Sequence, residues 1–240
     1  MMNLKYRDII MEVSPEPGII VHYMEMGLFI GQHIPGKKLS DFTIKKNCWF
    51  DQNDFKSTFL SQEELVKVNG YKSLKKQIEW IAGRFLVKNM IRDYVDSDVE
   101  LFNISVSYRE EGAPFLEQYP FVAISITHSG DYAAVALCTT LKKIGLDIEK
   151  SDYLPDESFM KVAFTQRENT FLQFKSQEVM KLWTIKEAFL KYIGRGFHEK
   201  LHSVEVLDHE IFYNGNKIDV RLLSFSIGGR YVISLIYGSD

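Results

Sequence analysis

Ile144-Gly145-Leu146-Asp147-Ile148-Glu149 is the stretch on which the fold turns. As a β-strand its side chains alternate, so Ile144, Leu146 and Ile148 point together into apolar packing, and Gly145, Asp147 and Glu149 share the opposite face. Two carboxylates at i and i+2 on a stiff strand repel each other unless a cation lies between them. A hard divalent ion such as Mg²⁺ takes oxygen ligands of this kind and completes its shell with phosphates and water. The same spacing also fits a strand edge carrying two solvated acids, since charged side chains are mostly exposed.

Upstream of this strand, Phe121 to Thr127 alternates, His128-Ser129-Gly130-Asp131 reads as a turn, and Tyr132 to Leu137 is apolar on both faces. The segment Ser125-Ile126-Thr127-His128-Ser129-Gly130 presents an imidazole and hydroxyls beside a permissive glycine, donors suited to a phosphate. A histidine merely exposed at a turn is the plainer account. Downstream, Thr165-Gln166-Arg167-Glu168 is a capping box, and Glu178 to Ile193 reads as a helix stopped by Gly194-Arg195-Gly196. On that helix Trp183, Glu187 and Lys191 recur every fourth residue, with Lys186 one step round. An ordinary Glu187–Lys191 surface pair, worth ~0.2–0.5 kcal/mol, also explains the spacing. The crowding of Trp, Lys, Glu and Lys on one side makes the helix a second candidate site.

The first fifty residues read as short strands, Ile19 to Met24 and Leu28 to Ile30, among Pro15, Pro17, Gly18, Pro35 and Gly36. Ser61-Gln62-Glu63-Glu64 is another capping box. A helix follows from about Leu74 to Tyr94, with Ile78, Ile81, Phe85 and Ile91 at helical spacing and Lys75, Lys76, Arg84 and Lys88 as cations for a phosphate or a solvated face. The tail is β: Val204 to Leu207, a hairpin with Asn214-Gly215, Val220 to Phe225, and Tyr231 to Tyr237. Strands, helices and strands, occurring twice, predict an α+β chain of two similar halves, 1–115 and 116–240. Trp80 to Lys88 slides onto Trp183 to Lys191 as an ancient duplication would, although the shared residues are few enough to match by chance.

Bulk properties narrow the class. The 240 residues are 45% hydrophobic and 25% charged with a net charge of −3, so no basic field points to nucleic acid. Cys48 and Cys138 lack metal-type spacing, which fits a reducing compartment without a disulfide framework. Met1 to Asp8 lacks the apolar core of a signal peptide, and runs such as Ala133 to Cys138 are too short to span a bilayer. A cytoplasmic, membrane-free protein is expected.

Ile144 to Lys150, the downstream Phe164-Thr165-Gln166-Arg167-Glu168, and Trp183-Thr184-Ile185-Lys186-Glu187-Ala188-Phe189-Leu190-Lys191 resemble the ordered signature of the Sfp-type 4′-phosphopantetheinyl transferases. Thr127-His128-Ser129-Gly130 is similar to that family's Ser-His-Ser-Gly element, with Thr in place of the first Ser. Glu79-Trp80-Ile81-Ala82-Gly83-Arg84 resembles its first-half helix motif, and the matches run in order from roughly residue 60 to 200. The resemblance implies two α+β halves related by a pseudo-twofold axis, with the site in the cleft between them. It implies that Asp147, Glu149 and Glu187 ligate Mg²⁺ and that His128 and Lys191 contact the phosphates of coenzyme A, flanked by Thr127, Ser129 and Lys186. Lys76 and Arg84 are the candidates for the far phosphate. Where the family often has Gly-Lys-Pro, this chain has Gly112-Ala113-Pro114, so one cation is missing.

The implied reaction moves phosphopantetheine from coenzyme A to a serine of an apo acyl or peptidyl carrier protein and releases 3′,5′-ADP. Glu187 would take the serine proton and Lys191 would stabilise or protonate the leaving phosphate. Two fused halves complete a site within one chain, so a monomer suffices. A metal-dependent phosphoesterase with water as nucleophile, or a non-catalytic carrier-binding relative, are the alternatives. Glu168 matches an acidic position of the family, yet its capping box already accounts for it. Phe159, Phe164, Phe171 and Phe174 are read as core.

Overall fold

Two capped helices set the frame. Ser73 accepts the Lys76 N–H and starts α3 (Leu74–Tyr94), on which the expected apolar positions Ile78, Ile81, Phe85 and Ile91 are all buried. α6 (Val179–Tyr192) ends at Gly194, whose φ is +71°. There the Gly194 N–H reaches the Lys191 carbonyl and the Arg195 N–H reaches that of Leu190, the double bond of a Schellman stop. The computed structural model describes residues 6, 8–33, 55–140, 143–152, 154–173, 175–196 and 199–238. Pro35, Gly36, Cys48 and Phe174 lie outside them.

Each long helix covers one antiparallel sheet. The first sheet has the order β1 (Ile10–Glu16), β2 (Ile19–Glu25), β6 (Tyr132–Cys138), β5 (Ala123–Ser129). Ile20, Met24, Ala133, Val135 and Leu137 turn one face of it into the core under α3. The second sheet has the order β11 (Arg221–Ile227), β12 (Tyr231–Gly238), β7 (Lys143–Lys150), and its Val232 and Ile236 join the core under α6. Ile144, Leu146 and Ile148 pack with Ile19, Val21, Ala134 and Ala136 from the first sheet, so the strand alternation holds and the two sheets share a third apolar layer. The chain is therefore a mixed α+β fold, as expected, with the layers running α3, first sheet, second sheet, α6. A ribbon of β3 (Val106–Tyr108) and β4 (Pro114–Leu116) and a meander of β8 (Val204–Leu207), β9 (Glu210–Tyr213) and β10 (Asn216–Ile218) flank these layers. No described helix is long and apolar enough to cross a membrane.

Two readings of the sequence are corrected here. Leu28 to Ile30 is not a strand but part of α1 (Met26–His33). Three adjacent apolar residues fit either state, and the packing of Phe29 on Phe85, with ring centroids 4.9 Å apart, selects the helix. His128 and Ser129 are the last residues of β5, paired with Ala133 and Tyr132, so the turn is confined to Gly130 and Asp131. The β5–β6 hairpin pairs with β2 and completes the first sheet.

One device occurs under both long helices. Ser61 and Glu64 form the expected capping box of α2 (Gln62–Asn69), and Glu64 also pairs with buried Lys88 of α3. Thr165 and Glu168 form that of α5 (Gln166–Leu172), and Glu168 pairs with Lys186 of α6 at 2.8 Å while accepting the Val206 N–H at 2.8 Å. Lys186 and Glu168 are both fully buried, which overrides the expectation that Lys186 faces a ligand. Burial pulls the Lys186 pKa down and Glu168 opposes that pull. Phe164 is buried, and Phe159 and Phe171 pack half-buried against the same core.

Removing one partner leaves the other charge buried and unpaired. Glu168→Ala should cost about 3–5 kcal/mol in urea unfolding, and Glu168→Leu with Lys186→Met should recover most of that loss. An unchanged midpoint in Glu168→Ala would show that the pair does not hold α5 to α6.

Candidate active site

The site starts from what Gly145 lacks. A Cβ on this residue would lie 2.0 Å from the Ala188 carbonyl oxygen and 2.5 Å from the Tyr192 nitrogen. The backbone of α6 thus lies directly on β7, closer than any side chain would allow. That contact brings Glu187 and Lys191 over the face of β7 that carries Asp147 and Glu149. Lys191 Nζ donates to Asp147 Oδ1 at 2.6 Å and to the Leu146 carbonyl at 3.1 Å.

From the other side, β5 runs parallel to β7 and supplies hydroxyls. Thr127 Oγ1 donates to Asp147 Oδ1 at 2.9 Å, and Ser129 Oγ donates to Glu149 Oε2 at 2.7 Å. Both side chains therefore hold carboxylates, where the sequence had set them beside coenzyme A phosphates. The tight turn after them relies on Gly130, at φ +55°, where a Cβ would meet Tyr231 Oη at 2.3 Å. Tyr231 donates to Asp131 Oδ2 and accepts the Asp131 N–H, both at 3.0 Å.

Burial and mutual repulsion shape the acids. Burial, then Asp147 and Glu149, push the Glu187 carboxyl up to about 7, against the pull of Lys191. Glu149 is raised by burial and by Asp147, with the Ser129 hydrogen bond opposing. Asp147 Oδ2 and Glu187 Oε1 are buried with no hydrogen-bond partner among the described residues. Such orphaned acceptors are costly unless something cationic or protic meets them. Among the described residues no three His, Cys, Asp or Glu side chains stand in a ready-made cage, and Asp147 Oδ1 is held by Lys191 and Thr127. The oxygen-only donor set and its two unmet acceptors nonetheless fit a hard divalent cation such as Mg²⁺.

Beside the trio lies a cleft of about 240 Å³ between α3, β5 and the end of α6, lined by Lys76, Trp80, Tyr108, His128 and Lys191 among others. His128 is exposed there, its Nδ1 3.7 Å from Glu79 of α3. Partial desolvation of this half-exposed ring by the surrounding cleft walls lowers its pKa, and Glu79 draws it back up. Arg84 also lines the cleft but is no free cation. Its guanidinium lies 4.3 Å from the Trp80 ring centroid, donates to Tyr108 Oη at 2.9 Å and sits 3.4 Å from Glu64. Lys76 lines the cleft with its ammonium over the Tyr71 ring, whereas Lys88 is buried on Glu64. Tyr108 and Glu111 were not singled out by the sequence, because nothing local marks a ribbon tyrosine or a turn acid as cleft-facing. Beyond Ala113 and Pro114 the cleft widens into a groove lined by Arg109, Phe115, Phe121 and Arg195.

Residues 143–235 match the model of a family described as the 4′-phosphopantetheinyl transferase superfamily. The chain is 28% identical over 166 residues to 4′-phosphopantetheinyl transferase Sfp of Bacillus subtilis (strain 168), covering 67% of this chain and 71% of that protein. It is 26% identical over 174 residues to 4′-phosphopantetheinyl transferase gsp of Aneurinibacillus migulanus, covering 68% and 70%. It is 27% identical over 161 residues to L-aminoadipate-semialdehyde dehydrogenase-phosphopantetheinyl transferase of Xenopus laevis, where the match covers 60% of this chain and 52% of that one. The matched part thus spans about half the length of the Xenopus relative.

Two measurements check this geometry. Gly145→Ala must push α6 off β7 and should cost at least about 1–3 kcal/mol in denaturant unfolding. A raised carboxyl pKa favours the folded state below the unfolded value near 4.5, and that advantage is lost as pH rises through about 7. Metal-free protein should therefore lose about 3 kcal/mol between those limits, and Glu187→Gln should flatten the profile.

Proposed function

We propose that the chain is a member of the 4′-phosphopantetheinyl transferase superfamily and transfers the 4′-phosphopantetheine arm of coenzyme A to a serine of an apo carrier protein, a reading supported by the match over residues 143–235 and by the relatives. The observation that carries this reading is the pair of buried, unpartnered acceptors, Asp147 Oδ2 and Glu187 Oε1, at the edge of a cleft bearing His128 and Lys191.

Asp147, Glu149 and Glu187 would hold Mg²⁺, which when bound offsets the negative charge of the pyrophosphate. The serine oxygen forms a bond to the β-phosphorus of coenzyme A. The bond from that phosphorus to the bridging oxygen breaks, and its electron pair leaves with 3′,5′-ADP. Glu187 takes the serine proton, its carboxylate lying at the cleft edge one helical turn from Lys191. Lys191, one helical turn along and at the cleft wall, neutralises the leaving phosphate, and His128 supplies a second donor. The groove beyond Pro114 offers Arg109, Arg195 and Phe121 at the approach by which a protein serine would arrive. Lys76 is the remaining side chain of the expected set with access to the far end of coenzyme A.

Incubating the protein with coenzyme A, Mg²⁺ and an apo carrier should raise the carrier's mass by one phosphopantetheine. Asp147→Ala and Glu187→Gln should lower the rate by at least about 100-fold while the fold persists. Hydrolysis of coenzyme A without a carrier would indicate a phosphoesterase instead, and full activity in either variant would overturn the carboxylate assignment.

A further inference from the structure

β5 and β7 belong to different sheets, and the hydrogen bonds across their junction come from side chains on β5. Ser125, Thr127 and Ser129 alternate along β5 and so share one face. Ser125 Oγ accepts the Leu146 N–H at 2.9 Å, Thr127 donates to Asp147, and Ser129 donates to Glu149. Thr127 and Ser129 keep one register, two residues apart on β5 and two apart on β7, while Ser125 reaches the backbone just before Asp147. Ser125 and Thr127 are buried, and Ser129 is partly so.

The consequence for the carboxylates is specific. Asp147 Oδ1 takes two donors, Thr127 and Lys191, while its Oδ2 takes none. Glu149 has Oε2 fixed by Ser129. A carboxylate anchored through one oxygen presents the other in a fixed direction, as hydrogen bonds from outside a metal's ligand set do in known metal sites. We propose that Thr127 and Ser129 are positioning residues for cation binding, fixing the Asp147 and Glu149 carboxylates across the junction of the two sheets. This rests on the reading of Asp147, Glu149 and Glu187 as metal ligands. It separates the two hydroxyls from His128 between them, whose side chain points to the α3 side and its Glu79. Alternation along one strand thus divides labour: odd positions set the acids, and the even position faces the cleft.

The test is Mn²⁺ binding, followed by electron paramagnetic resonance of the free ion, without coenzyme A or carrier. Thr127→Val and Ser129→Ala should each weaken Mn²⁺ binding by roughly tenfold. Thr127→Ser and Ser129→Thr, which keep the hydroxyl, should bind nearly as the parent does. Coenzyme A binding without metal should stay within about twofold in all four. Ser129 is partly exposed, so Ser129→Ala and its Thr counterpart decide the matter should Thr127→Val fail to fold. Unchanged Mn²⁺ affinity with weakened coenzyme A binding would overturn the proposal and return the hydroxyls to the phosphates. If the parent binds Mn²⁺ no better than Asp147→Asn, the metal reading itself fails, a result distinct from parent binding that the hydroxyl variants leave unaltered.

Discussion

Gly145 leaves a space that a Cβ would fill, and the backbone of α6 occupies it. Everything chemical in this molecule depends on that contact. A helix normally rests on a sheet through layers of side chains, whereas here the peptide groups of Ala188 and Tyr192 lie against the strand itself. Close approach lets Lys191 reach the Asp147 carboxylate and the Leu146 carbonyl, and sets Glu187 in the field of Asp147 and Glu149. The stop at Gly194 ends the helix one short turn after Lys191, so the chain leaves the site along the cleft wall.

Bringing three acids together in a partly buried place is unfavourable, and the structure offsets it unevenly. Lys191 and Thr127 satisfy one oxygen of Asp147 and Ser129 one of Glu149, while Glu187 responds by holding its proton to about 7. The remaining repulsion is what a divalent cation would relieve. By contrast, the buried acids beneath the helices meet opposite charges: Glu168 satisfies its capping box, Lys186 and the Val206 N–H together, and Glu64 caps α2, pairs with Lys88 through one oxygen and faces Arg84 with the other. Opposite charges meet one another in the frame, whereas in the site like charges are gathered around two unmet acceptors.

Much of this was legible from residue order. Serine or threonine followed three residues later by glutamate fixed the starts of α2 and α5, because that pair satisfies helix N–H groups locally. Alternation along residues 144–149 separated core from acid, and the spacing of Glu187 and Lys191 placed both on one helix side. The same reasoning could not separate Lys186 from its neighbours. Adjacent residues on a helix differ by about a quarter turn, and only the position of Glu168 decides that Lys186 points inward. Leu28 to Ile30 went astray for a related reason, since a short apolar run has no period of its own and took its state from Phe85.

By itself the sequence determined what is local: caps, stops, the two-residue period of β7, the order of the motifs, and the presence of a glycine before Asp147. Each follows from interactions within a few residues. Only the tertiary structure decided which sheet owns the β5–β6 hairpin, which lysine meets which acid, and that the hydroxyls of Thr127 and Ser129 face carboxylates. Those outcomes depend on residues far apart in the chain meeting across a packed core, and the direction of a side chain is then set by its partner's position rather than by its neighbours in sequence.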